Sequence, residues 1–126
     1  MAITSAICSS FKQELLQGKH NFSSSSGDSF KVALFTSSAT LGATTTDYST
    51  SNEITNTSGT AYTAGGKALT NTGVGLTSTT AFTDFSDVSW TSASFTANGA
   101  LIYNTTTGTS SSTTDAVCAI AFGSDK

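Results

Sequence analysis

Residues 30 to 36 read FKVALFT, and this heptad decides the fold class. Phe30, Val32 and Leu34 fall on one side of an extended chain and Ala33 and Phe35 on the other, so a strand here has to be covered on both faces. Two later stretches match it. In SFTANGALIY at 94 to 103, Phe95, Ala97, Leu101 and Tyr103 share one face while Ala100 and Ile102 take the other, and AVCAIAF at 116 to 122 is apolar on both. A polar, threonine-rich connection over 105 to 114 joins these two, which predicts an antiparallel pair.

Weaker strand signals lie between. AYTAG at 61 to 65 and KALTNTGVGL at 67 to 76 read as two short strands or one bent strand, with glycines at 65, 66, 73 and 75 permitting bulges or tight corners. Residues 81 to 90 hold Phe82, Phe85, Val88 and Trp90 in a strand broken by turns at Asp84 and Asp87. Residues 37 to 60 form a long excursion or a short edge strand, anchored by Leu41, Tyr48 and Ile54, and SSSSGDS at 23 to 29 is a turn with nothing to bury.

Before the first strand the period changes. Ile7, Phe11 and Leu15 recur at a spacing of four, so a helix is predicted over 4 to 17, capped by Thr4 or Ser5 and ended by Gly18 in the left-handed conformation. Its apolar stripe is read as core, with docking on another protein as the alternative. One helix and six to eight strands, with no helices between strands, make a mainly β protein: an antiparallel β-sandwich with an N-terminal helix, in a single domain over residues 1 to 126.

Composition narrows the function. Of 126 residues, 25 are Thr and 22 are Ser, 10% are charged and none is proline. Ordinary chains carry roughly 25% charged residues and about 5% proline, so a disordered tail, a proline-rich linker and a coiled coil are excluded. A net charge of −3 supplies no basic stripe for nucleic acid or for an anionic membrane surface. No apolar run approaches the roughly 20 residues of a membrane span, and MAITSAICSSFKQ lacks the basic start of an export signal. Cys8 and Cys118 are expected as reduced, buried thiols rather than a bridge.

Tests for chemistry end without a catalytic, metal or cofactor residue. His20, the one histidine, has Asp28 and Asp47 and many serines as nominal triad partners, but no GxSxG elbow accompanies them. Cys8 lies within the helix stripe, where burial raises its pKa and silences it as a nucleophile. Asp84 and Asp87 suit a turn better than a calcium site, and Asp115 and Asp125 are isolated. Gly65, Gly66 and Lys67 resemble a phosphate loop only superficially, since Ala61 and Ala68 stand where that motif needs glycine and a hydroxyl residue. The triplets starting at Asn21, Asn56 and Asn104 follow from the abundance of Ser and Thr. Trp90, Tyr48, Tyr62 and Tyr103 are the aromatic candidates for stacking on a sugar, with core as the alternative for Trp90.

The stretches MAITSAICSSFKQELLQGKHNF, FKVALFTSSATLGATTT, AYTAGGKALT, WTSASFTANGALIYN and AVCAIAFGSDK together resemble a family of small virion proteins of tailed bacteriophages, marine and cyanobacterial ones included. That resemblance covers almost the whole chain through structural motifs. It implies a non-enzymatic structural protein of the virion, made in the host bacterial cytoplasm. A capsid decoration or cement protein is expected, partnered by the major capsid protein or other virion proteins and by further copies of itself. The alternatives are a tail, neck or adaptor component forming rings and a host-glycan-binding module.

Overall fold

The computed structural model describes residues 2–55, 61–106 and 113–126. Among these, the elements in chain order are β1 (Ala6–Ile7), α1 (Ser9–Leu16), β2 (Phe30–Phe35), β3 (Lys67–Ala68), β4 (Asn71–Thr77), β5 (Thr80–Phe85), β6 (Gly99–Asn104) and β7 (Asp115–Ala121). Five strands form one antiparallel sheet in the order β1-β7-β6-β2-β3, and β4 and β5 form a separate hairpin. The architecture is mainly β and sandwich-like with one short helix, as the alternation of apolar residues requires.

The three strongest apolar stretches occupy the middle of the large sheet. Val32 pairs with Ile102 and Ile102 with Cys118, while Ala33, Leu101 and Ala119 form the next row on the opposite face. Each row is apolar, so the sheet is covered on both sides. One apolar cluster gathers Phe11, Phe30, Phe35, Leu101, Tyr103 and Val117. A second gathers Leu34, Ile54, Tyr62, Ala97 and Ala100, with Trp90, Phe95 and Phe122 packed against it.

Several expected boundaries move, each for a physical reason. Helix α1 covers Ser9–Leu16 rather than 4 to 17, because the backbone ahead of it pairs with the sheet: Ala6 lies opposite Ala119 and Ile7 opposite Cys118. Ile3, Thr4 and Ile7 are β-branched, and the tertiary ladder overrides the helical spacing. Thr4 and Ser5 therefore do not cap the helix. Cys8 is its N-cap without a side-chain capping hydrogen bond, its thiol donating to the Gly42 carbonyl at 3.7 Å, and the Ser5 hydroxyl accepts from the Ala121 N–H instead. The C-terminus ends as expected, with Gly18 at φ 71° and the Gly18 and Lys19 N–H groups returning to the carbonyls of Leu15 and Glu14.

Residues 61 to 65 carry no strand, and β3 and β4 are separated by two residues. The strand read over 81 to 90 stops at Phe85, with Asp84 inside β5 opposite Gly73 rather than in a turn. β6 begins at Gly99, so Phe95 and Ala97 reach the second cluster from irregular chain. The excursion over 37 to 60, of which 56 to 60 lie outside the described residues, is pinned by single bridges from Leu41 to Ile3, Glu53 to Phe35 and Asp47 to Asp115.

Gly66 is the tightest point. Its φ is +83°, and a Cβ there would lie 1.9 Å from the Val32 carbonyl oxygen, where β3 begins to pair with β2. Gly18 has φ +71° with nothing within 4 Å. Urea denaturation of Gly66→Ala is expected to show a loss of about 3 kcal/mol, against about 1 kcal/mol for Gly18→Ala, where only the left-handed backbone is strained. Equal losses would show that the close approach at Gly66 carries no cost.

Candidate functional site

Of the ionisable residues considered for chemistry, His20 and Asp28 belong to one of two polar clusters that lie one at each side of β6. At the first, His20 follows the glycine stop of α1 and packs its ring 4.8 Å from Phe11. His20 Nε2 lies 2.9 Å from Glu14 Oε1, and Nδ1 lies 3.0 Å from Asn104 Nδ2. An amide NH2 only donates, so Nδ1 accepts and the ring proton sits on Nε2, donated to Glu14. The amide orientation is consistent throughout: Asn104 Nδ2 also donates to Asp28 at 2.8 Å, and its Oδ1 accepts from the Thr106 N–H at 2.9 Å.

Both imidazole nitrogens are thereby engaged by scaffold side chains, and no serine hydroxyl is bonded to the ring among the described contacts. Asp28 is linked to His20 through Asn104, whereas Asp47 accepts from Thr114 elsewhere. Ligand atoms of Glu14, His20 and Asp115 lie within 4.8 Å of one another, and the His20 Nε2 among them already carries a proton directed at Glu14. Asp28 is buried, which the turn reading of SSSSGDS does not anticipate; its carboxylate receives the Asn21 N–H.

The second cluster centres on Glu53, which is buried. Tyr48 donates to its Oε1 at 2.6 Å, and Tyr62 and the Gly65 N–H donate to its Oε2 at 2.6 and 2.8 Å. The Tyr62 oxygen accepts from the Leu34 N–H of β2, and Tyr103 donates to the Gly65 carbonyl at 2.6 Å. Burial, then the hydrogen bonds and negative charge of Glu53, hold Tyr48 and Tyr62 well above the ordinary phenol range. Tyr103 is pushed up to about 12 by burial and by Glu53.

The remaining candidates find structural roles. Cys8 and Cys118 are both free, and burial pushes the Cys8 thiol up to about 11, away from a nucleophilic thiolate at neutral pH. Lys67 of the Gly65-Gly66-Lys67 stretch points at the Ser89 carbonyl and sits 5.4 Å from the centre of the Trp90 ring. Trp90 stacks on Tyr62, and Tyr48 stacks on Tyr103 at 4.3 Å, so these rings face one another rather than a ligand. Asn104 is fully buried, Asn21 forms a turn with Ser23, and Asn56 lies outside the described residues.

What is left open is an apolar cleft of about 630 Å³ between α1, the sheet and the β4–β5 hairpin. Ile7, Phe11 and Leu15 form one wall, Ile102, Val117 and Cys118 the floor, and Val74, Leu76, Phe82 and Phe85 the other wall. The helix stripe is thus divided. Phe11 is core as expected, but Ile7 and Leu15 are 48% and 45% exposed and line the cleft. On the hairpin, Phe82 lies across from Gly75, its ring filling the space that a Cβ would take. Alternation along β4 puts Val74 and Leu76 on the face opposite Gly73 and Gly75.

Among the described residues, no helix is long and apolar enough to cross a membrane. Compared with family models, with curated proteins and with solved structures, the chain matches none.

Tyr48, Tyr62 and Tyr103 are the only tyrosines in the chain, so tyrosinate absorbance near 295 nm reads this cluster alone. Because their folded pKa values are raised, the stability they contribute is complete below the phenol value of ~10 and is lost as pH rises towards the folded values. Titration is expected to show little tyrosinate at that ordinary value, then ionisation and loss of circular dichroism together. Independent ionisation near pH ~10 with the fold intact would contradict the assignment. Glu53→Gln, which presents an NH2 to a phenol or amide donor, is expected to cost about 3 kcal/mol.

Proposed function

We propose that the chain is a structural subunit of a tailed-bacteriophage virion, a capsid decoration or cement protein carried in many copies and bridging neighbouring major capsid subunits. The observation that supports this reading is the open apolar cleft. A polar, charge-poor β-scaffold leaves Leu76 71%, Val74 64% and Ile7 48% exposed along this cleft. Contiguous apolar surface of this kind marks a protein–protein contact. In contrast, the groups suited to acid–base chemistry are hydrogen-bonded within the scaffold.

The likeness of the sequence to small virion proteins supplies the setting, and lattice geometry supplies the energetics. A subunit repeated over a shell stabilises it by many modest contacts, each strengthened by the proximity of the others. A rigid sandwich with few charges avoids mutual repulsion when such copies crowd together.

Quantitative mass spectrometry of purified particles tests the proposal. Copies comparable in number to the major capsid protein are expected, together with rebinding of the purified chain to stripped shells. A few copies per particle would move the protein to the tail or neck, and absence from the particle would overturn the virion reading.

A further inference from the structure

We propose that the Asn98–Gly99 step is a self-modifying site, at which Asn98 loses its side-chain amide to become aspartate or isoaspartate and thereby unlatches the segment after β7.

The chain holds six asparagines, and Asn98 alone precedes glycine; the others precede Phe, Glu or Thr. Cyclisation needs the next residue's backbone nitrogen to reach the asparagine Cγ, and glycine, with no Cβ, hinders that approach least. The fold forbids a slower neighbour. A Cβ on Gly99 would lie 2.6 Å from Ile3 Cδ1 and 2.7 Å from the Ile120 carbonyl oxygen, so packing at the start of β6 requires the glycine that makes the step reactive.

The chemistry needs only water. The Gly99 nitrogen, giving up its proton, attacks the Asn98 Cγ; an N–C bond forms, the Cγ–Nδ2 bond breaks, and ammonia leaves with that proton. Water then opens the cyclic imide at either carbonyl. One product is aspartate, the other isoaspartate, in which the main chain runs through the former side chain. Both replace a neutral amide by a carboxylate.

Asn98 stands under a latch. Its Nδ2 donates to Asp125 Oδ1 at 2.8 Å, and its carbonyl accepts the Phe122 N–H at 3.0 Å. Beside it, Ala97 and Lys126 exchange two backbone hydrogen bonds of 2.9 and 3.0 Å, and the Asn98 N–H is donated to the Phe35 carbonyl at 2.8 Å. These bonds hold Cγ and the Gly99 nitrogen out of the rotation that cyclisation needs, so reaction waits on the opening of residues 122–126. Asn98 is half-buried and Asp125 exposed, so water reaches the site once the latch opens. The product cannot re-form the latch. A carboxylate has no hydrogen to donate to Asp125, and two like charges then face each other where an NH2 met one. Opening is made permanent by the reaction that it admits.

Peptide mapping by mass spectrometry of the full chain, aged at neutral pH, reads the reaction, and amide hydrogen exchange at Ala97 and Lys126 reads the latch. In urea, conversion is expected at Asn98 ahead of every other asparagine, and in the folded chain more slowly. Asp125→Ala is expected to raise the folded-state rate about fivefold with unchanged circular dichroism, the effect of one lost exposed hydrogen bond on the open population. Asp125→Asn, whose carbonyl oxygen still accepts from Asn98, is expected to keep the slow rate. Asn98→Asp is expected to speed exchange at Ala97 and Lys126 about fivefold, and combining it with Asp125→Asn, which returns a donor to the pair, to slow that exchange again. Equal conversion in urea and in the folded chain, a rate that Asp125→Ala leaves unchanged, or amides as protected in Asn98→Asp as in the unaltered chain would overturn the inference.

Discussion

A buried carboxylate holds this molecule together. Glu53 sits in a stretch too poor in apolar residues to pack by hydrophobic burial alone, and removing its charge from water is unfavourable unless donors replace the lost hydration. Two tyrosine hydroxyls and the Gly65 N–H do so. Through them the excursion after β2 and the approach to β3 are fastened to the sheet. The same Tyr62 oxygen accepts the N–H of Leu34, so one side chain ties β2 to the excursion.

Strand alternation distributes the polar fastening. In β6, Tyr103 reaches Gly65 while its neighbour Asn104, on the other face, reaches His20 and Asp28. Successive residues of one strand therefore serve both polar clusters, and each cluster ties a loop to the central sheet. With these groups engaged internally, the surface features that stand out are apolar: the helix side bearing Leu15 and Leu16, and the hairpin bearing Val74 and Leu76.

Much of the fold is legible in the sequence because FKVALFT, GALIY and AVCAIAF carry apolar residues on both faces, which only a central strand accommodates. The glycine stop of the helix is equally readable. Its start is not, since pairing of Ala6 and Ile7 with β7 is a long-range event that local spacing does not report. The polar clusters are harder still. Glu53, Asp28 and Asn104 look like ordinary loop residues among many serines and threonines, and only the fold shows that tyrosines and an imidazole converge on them. The cleft is hidden for a related reason: Ile7, Leu15, Leu76 and Phe82 are apolar residues that a periodicity reading assigns to a core.

The polar clusters are permanent parts of the scaffold, and Glu53 is the fastening that holds the excursion after β2 on the sheet. Residue-resolved amide hydrogen exchange on the full chain tests this directly. The amides of Leu34 and Gly65 are predicted to be strongly protected, and to lose much of that protection in Glu53→Gln. Rapid exchange at Leu34 and Gly65 in the unaltered chain, or protection that Glu53→Gln leaves unchanged, would contradict it.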